Sequence, residues 1–369
     1  MQAKHNRGSK FLLQQLFLSQ KFGLKILKRF DLKPRKKPNF REWENLVNKI
    51  KHPKKRINIA IVGKYVDIGD YNLADSYISI NQALIHAGAE FNVGITINWI
   101  DSKKFEMSEI ATRNLHASAR SKRAISEHAQ KPQVFDKDKN ELSILKKYKG
   151  IIIPGGFGSS GVEGKIKAIG YARKNNIPCL GLCYGMQLSL IEFARNVCNL
   201  KDANTTEINK NTEYPVIDIL PSQRKIMEEG MYGGTMRLGA YAAVLDKSSK
   251  VYKLYKETSR LKEDGERIAD MKKDKNQSFR LGITGKNDAV ILERHRHRYE
   301  VNPKFIETLE KNGIKFSGYH QRYDRTKLME FMELPKLKYF CGTQGHPEFK
   351  SGLGNPSPLF YGFVKAIIK

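Results

Sequence analysis

A cysteine with glycine two residues away on either side, Gly181-Leu182-Cys183-Tyr184-Gly185, stands where an apolar run gives way to an amphipathic one. It is the cysteine counterpart of the G-x-S-x-G nucleophile elbow. Glycines at those places permit a tight strand-to-helix turn that side chains would block. A thiol held there reaches the edge of a sheet, and the helix N-terminus behind it favours the thiolate. Taken alone, Cys183 also fits a packed position at a strand end, because free cysteines are among the most buried residues. Catalysis needs a base and a group to orient that base. The stretch Thr343-Gln344-Gly345-His346-Pro347-Glu348-Phe349 offers both. The imidazole of His346 can take and return a proton, and the carboxylate of Glu348 can hold the ring and stabilise the imidazolium. Backbone N–H groups of Pro154-Gly155-Gly156-Phe157-Gly158 can approach a ligand closely enough to make an oxyanion hole.

The remaining cysteines, Cys179, Cys198 and Cys341, lack such a turn and read as core residues. No CxxC pair occurs, so neither a zinc site nor a disulfide framework is indicated, and a reducing compartment is expected. In His295-Arg296-His297-Arg298 the residue types alternate, so in a strand the histidines share one face and the arginines the other. No third ligand at metal spacing accompanies the two histidines. An arginine holding a substrate carboxylate suits the motif better than a metal.

These groups need a frame. INIAIVG (57–63), GIIIPGG (150–156) and IPCLGLC (177–183) are buried-strand signatures. Helical patterns follow them over 72–87, in VEGKIKAIGYARKN and in MQLSLIEFARNVCNL, and VGITINWI reads as another strand. Strands alternating with helices predict an α/β fold with a doubly wound, mostly parallel sheet covered on both faces. Functional groups in such sheets gather at the carboxyl ends of the strands. YAAVL, AVILERHRHRYEV, IKFSGY, LMEFMEL and YFCGTQ predict further strands and hairpins. Residues 10–31 carry apolar positions at helical spacing with a break near Gly23; LKPRKKPNF reads as a linker and REWENLVNKI as a short helix. Residues 1–56 thus form a helical, basic N-terminal region and 57–369 the main domain. Two polar stretches, 103–147 and 252–288, read as mobile surface insertions.

The chain carries 66 Lys+Arg against 38 Asp+Glu, a formal net charge of +28. Such a surplus raises nucleic-acid or membrane-surface binding. Half of it lies in residues 1–56, with 17 Lys/Arg against 3 Asp/Glu. Charge runs are usually solvated faces, so neither partner is expected. No apolar run approaches the ~20 residues that span a bilayer.

On these motifs the chain resembles the class I (triad) glutamine amidotransferases and, more narrowly, the glutaminase domain of the CTP synthase family. The strings that carry the resemblance are IAIVGKY, IIIPGGFG with GVEGKI, ARKNNIPCLGLCYGMQLSLIEFARNV, ANTTE, YPVIDILP, GGTMRLGAY, ERHRHRYEVNP, TQGHPEFKS and PLFYGFVKA. They follow one another in family order over about residues 57–369. Residues 10–56 are similar to the last helix of that family's synthetase domain and its interdomain linker. That reading displaces a mitochondrial transit peptide, which a basic, acid-poor N-terminus would otherwise suggest.

The resemblance implies a nucleophile at Cys183, completed by His346 and Glu348. It implies oxyanion-hole positions at Gly156 and the backbone of Tyr184, and glutamine-holding positions at Gly156, Gln187, Glu207 and Arg298. The substrate would be L-glutamine and the product ammonia, made without a cofactor or metal. A synthetase domain, in cis or in trans, would use ATP and Mg to aminate UTP to CTP in the cytoplasm. Any homo-oligomer would form through that domain, which is absent here; no GxxxxGK[ST] phosphate loop occurs in these residues. A catalytically weak remnant that regulates or scaffolds a full-length CTP synthase is the alternative. Three positions depart from the family pattern. Tyr184 replaces Leu, Gly345 replaces Phe and is expected to loosen the loop carrying His346, and Ser159-Ser160 stand where an arginine is usual, which leaves GTP activation open.

Overall fold

The computed structural model describes residues 17, 19–36, 39–64, 77–106, 141–220, 223 and 236–369. The N-terminal region supplies α1 (Phe22–Arg29) and α2 (Arg41–Lys51). The expected break near Gly23 is a turn at 20–21, with Lys21 left-handed at φ 52° just before α1; α1 buries none of its side chains, whereas α2 buries Val47.

The main domain begins with β1 (Lys55–Gly63), α3 (Ile78–Glu90) and β2 (Val93–Asp101). Then come β3 (Ile151–Ile153), α4 (Val162–Lys174), β4 (Cys179–Leu182) and α5 (Tyr184–Asn196). Short strands β5 (Asn204–Thr205) and β6 (Pro215–Asp218) precede β7 (Arg237–Leu245), α6 (Lys250–Glu257) and α7 (Arg260–Lys273). The chain closes with β8 (Ala289–His297), β9 (Glu300–Val301), α8 (Pro303–Lys311), β10 (Lys315–Gln321), β11 (Lys327–Glu333), β12 (Phe340–Thr343) and α9 (Pro358–Ile368).

A nine-stranded sheet runs in the order β2-β1-β3-β4-β12-β11-β10-β7-β8, beside a small β5-β6-β9 sheet. The first five strands pair in parallel, as the βα alternation predicts. From β12 onward the pairs are antiparallel, built from the hairpin strands of the C-terminal part. The inner parallel strands β3 and β4 are fully buried and apolar because both faces are covered, whereas the edge strand β2 is only partly buried. Successive side chains point to opposite sides, so Ala60 and Val62 enter one core with α4 and α5, and Ile59 and Ile61 enter the other with α3 and α9.

Residues 252–288 differ from expectation. They are largely helical and packed, through α6 and α7. Val251, Leu254, Tyr255, Ile268 and Met271 are buried at i, i+3, i+4 spacing, and the lysines occupy the outer face. Asp264 on α7 is buried and takes the Lys350 ammonium at 2.8 Å. Arg260 donates to the carbonyls of Lys350 and Asn355 at 2.6 and 2.7 Å. The segment therefore braces the turn that follows His346. Of the other polar stretch, residues 107–140 lie outside the described residues. Its first turn, Ser102–Phe105, packs on α4.

Candidate active site

Three neighbouring parallel strands, β3, β4 and β12, end side by side, with Ile153 opposite Gly181 and Leu182 opposite Thr343. Their carboxyl ends deliver, in order, the glycine-rich turn, Cys183 and the His346 loop.

Cys183 sits between β4 and α5 with φ 51° and ψ −105°. A side-chain-bearing residue rarely adopts this conformation, which costs about 1–3 kcal/mol and is held only where the surroundings enforce it. Here the enforcement is visible. The Cys183 N–H donates to the Thr343 carbonyl at 2.7 Å, which ties the turn to β12. A Cβ on Gly185 would lie 2.1 Å from the Ile153 carbonyl oxygen, and one on Gly181 would lie 2.8 Å from the Gly185 backbone. Both glycines are required by close approach of main chain to main chain. Tyr184, the first residue of α5, has an N–H in the first turn, where no intrahelical acceptor exists.

His346 Nδ1 lies 2.8 Å from Glu348 Oε1. Burial by itself would lower the imidazole, but hydrogen bonds to the Cys183 thiol and to Glu348 outweigh it and push His346 up to about 10. The loop is strapped despite Gly345. The N–H groups of Gln344 and His346 donate to Glu330 and Arg294 carbonyls at 2.8 and 2.7 Å, and Gly345 N–H donates to Thr343 Oγ1 at 3.1 Å. A Cβ on Gly345 would meet Glu293 Cβ at 3.0 Å, so the glycine is closely packed instead of loose.

A cavity of about 300 Å³ opens beside the thiol, and Gly156, Cys183, Tyr184, Gln187, Glu207 and Arg298 line it. The structure thus brings together every one of the sequence-picked residues except His346 and Glu348 as cavity lining, and sets those two against Cys183 from the side. Some contacts are already occupied. Gln187 Nε2 donates to the Tyr299 carbonyl at 2.9 Å and to Gln344 Oε1 at 3.0 Å, which leaves its own Oε1 to meet a ligand. Glu207 Oε1 accepts from the Gly158 N–H at 2.7 Å, which fixes the glycine-rich turn above the cavity. The Tyr184 side chain is buried, and its hydroxyl donates to the Gly158 carbonyl at 3.3 Å.

Phe157, Met236, Arg296, His297 and Tyr299 also line the cavity; the glycine-rich turn and the His-Arg motif held three of them, and sequence reasoning gave no role to Met236 or Tyr299. It missed Gln344, whose Nε2 stands 3.7 Å from Cys183 Sγ. It missed Lys165, a fully buried lysine near the same turn. The alternation of the His-Arg motif was the available signal for His297, and it holds over His295–His297, with both histidines buried and Arg296 exposed; Arg298 lies past the end of β8 and is half-buried.

Behind the His346 loop the two histidines join a buried polar network. Arg237 bridges Glu300 at 3.1 Å and Glu330 at 2.7 Å, and His297 Nε2 meets Glu300 Oε1 at 2.8 Å. Burial would raise Glu300, but His297 and Arg237 hold it down at about 2. Burial dominates at Glu330 and carries it up to about 7 despite Arg237. Among the described residues no cluster of three or more His, Cys, Asp or Glu is arranged to hold a metal ion, and no helix is long and apolar enough to cross a membrane.

Comparison with known proteins places this geometry in a family. Residues 72–366 match the model for glutamine amidotransferase class-I. The CTP synthase of Methanocaldococcus jannaschii is 41% identical over 344 residues, covering 93% of this chain and 51% of that protein. The CTP synthase of Saccharolobus solfataricus is 42% identical over 351 residues, covering 95% of this chain and 52% of that protein. The chain therefore spans about half the length of the curated relatives it matches. A solved structure described as the glutaminase domain of Trypanosoma brucei CTPS with bound acivicin superimposes with a TM-score of 0.62 at 30% identity, covering 85% of this chain and 94% of that one. Agreement of this extent, in sequence and in backbone, makes the chain a member of the class-I glutamine amidotransferase family, on the branch of the CTP synthase glutaminase domains.

Proposed function

We propose that the chain hydrolyses L-glutamine to glutamate and ammonia through Cys183, His346 and Glu348. One observation carries this reading: the His346 ring, held by Glu348 at 2.8 Å, and the Cys183 side chain meet beside Gly155, where a Cβ would lie 3.2 Å from His346 Cε1 and 3.5 Å from Cys183 Cβ. Such a chain of groups activates a thiol and keeps an imidazolium ready.

The steps follow from the positions. Cys183 Sγ attacks the carboxamide carbon of glutamine, and the carbonyl oxygen becomes an oxyanion facing the N–H groups of Gly156 and Tyr184. The tetrahedral intermediate collapses to a γ-glutamyl thioester as the C–N bond breaks, and His346 gives its proton to the departing ammonia. Water then attacks the thioester and hands a proton to His346, and glutamate leaves with the Cys183 sulfur restored. Glu207 suits the substrate's α-ammonium and Arg298 its α-carboxylate, while Gln187 Oε1 can accept from the substrate.

The ammonia, on this reading, feeds ATP- and Mg-dependent amination of UTP to CTP by a synthetase domain acting in cis or in trans. The relatives named CTP synthase, which align along nearly all of this chain, support that use. No role is assigned to GTP. The test is ammonia release from glutamine by the purified chain and by its Cys183→Ala variant. The reading expects release by the first and loss of at least about 10³-fold in the second. Equal rates would sink it.

A further inference from the structure

Lys165, on the first turns of α4, is 0% exposed, and its Nζ has no hydrogen-bond partner among the described residues. Buried charges are normally paired, because an unpaired one costs several kcal/mol. Lys64, at the end of β1, shows the ordinary solution nearby: its ammonium donates to the Phe157 and Gly158 carbonyls at 2.8 Å each. Lys165 has no such outlet. Its Nζ stands 5.9 Å from the centroid of the Tyr184 ring, with Lys64 Nζ at 6.0 Å from that centroid. It lies 3.7 Å from the point where a Cβ on Gly156 would sit. The amine is therefore lodged behind the two residues whose N–H groups would face the oxyanion.

We propose that Lys165 is a positioning cation for Cys183, buried with no anion bonded to it among the described residues, so that its charge serves the thiolate and the oxyanion that follows it. The inference rests on the reading of Cys183 as nucleophile. The charged surroundings agree with it. Glu106 is occupied with the N–H groups of Glu163 and Gly164 at the start of α4. Glu163 pairs with Arg195 on α5 at 2.8 Å, and Glu207 holds the Gly158 N–H. No carboxylate among these neighbours bonds Lys165. Burial and the charge of Lys64 push its amine down to about 7, and only Cys183 pulls it upward. That coupling is mutual: a thiolate at Cys183 favours the ammonium, and the ammonium favours the thiolate. As pH rises through neutrality Lys165 loses its proton and its pull fades.

The experiment measures iodoacetamide alkylation of the Cys183 peptide against pH, in the absence of glutamine, for wild type and Lys165→Met. Methionine keeps much of the shape and removes the charge. The expected result is a thiolate midpoint at least one pH unit higher, hence about tenfold slower alkylation below the midpoint, in a protein that melts no lower than wild type. A purely structural lysine would leave the midpoint unmoved, and superimposable curves overturn the proposal. If Lys165→Met loses its cooperative melt, Lys165→Gln is held to the same shift. A wild type that alkylates normally but releases no ammonia would sink the glutaminase reading and leave this one measurable.

Discussion

His346 carries the most consequential single environment in the molecule. Its imidazole is raised to about 10 by the Cys183 thiol and Glu348 working against burial. A proton held that tightly stays on the ring through neutral pH and is lost only as pH climbs through the raised value. Glutamine hydrolysis should therefore persist on the alkaline side and fall there. Glu348→Gln keeps an acceptor for the Nδ1–H but removes the negative charge that supports the imidazolium. Its alkaline limb should move to lower pH and its kcat should drop by about 10²-fold or more, as measured by ammonia release from pH 6 to 10. An unmoved limb would show that Glu348 does not set the imidazole. At this scale the sequence was informative about placement: Cys183 does stand on a strand-to-helix turn, and His346 does meet Glu348 at 2.8 Å. It was silent on Lys165, because nothing in GVEGKI marks one lysine among so many as buried.

The elements that hold the site were read well where periodicity was strong. The parallel strands and the helices α4 and α5 fall where apolar runs and helical spacing put them. The glycines of the elbow were legible too, and the structure supplies their reason. Gly185 is where the start of α5 crosses the end of β3, with space for hydrogen only. Gly185→Ala should cost about 3 kcal/mol by overpacking, seen in urea unfolding. It should also lower activity at temperatures where the protein stays folded, since relief of the clash must shift the turn bearing Cys183. Full stability in that variant would contradict the packing described. Residues 252–288 were misread because their average composition is lysine-rich. Four apolar anchors of this stretch at helical spacing, with Val251 just before it, suffice to dock α6 and α7, and polar contacts from Arg260 and Asp264 do the rest.

At the scale of the whole molecule, a parallel half that carries Cys183 is joined through β12 to an antiparallel half that braces the His346 loop. The bracing rests on buried charge. Arg237 neutralises Glu300 and Glu330 at once, on strands β7, β9 and β11. Arg237→Met would leave two buried carboxylates without their cation and should cost about 3–5 kcal/mol. Glu330 adds a pH signature. Its folded value is raised from 4.5 to about 7, so between those values the folded state holds more protons than the unfolded one. Its contribution to stability therefore falls as pH rises across that window. Arg237→Met should steepen the fall, and thermal melts from pH 5 to 8 would register it. No sequence pattern announces such a network, because its members come from strands far apart in the chain.

On the proposed chemistry, Cys183 alone of the four cysteines meets glutamine. An electrophilic glutamine analogue, such as a chloroketone, reports on this directly when the adduct is mapped by peptide mass spectrometry. The expected result is a single adduct on Cys183, slowed by added L-glutamine and absent from Cys183→Ala. Labelling of Cys179, Cys198 or Cys341 instead, or labelling of Cys183 that glutamine does not slow, would contradict it.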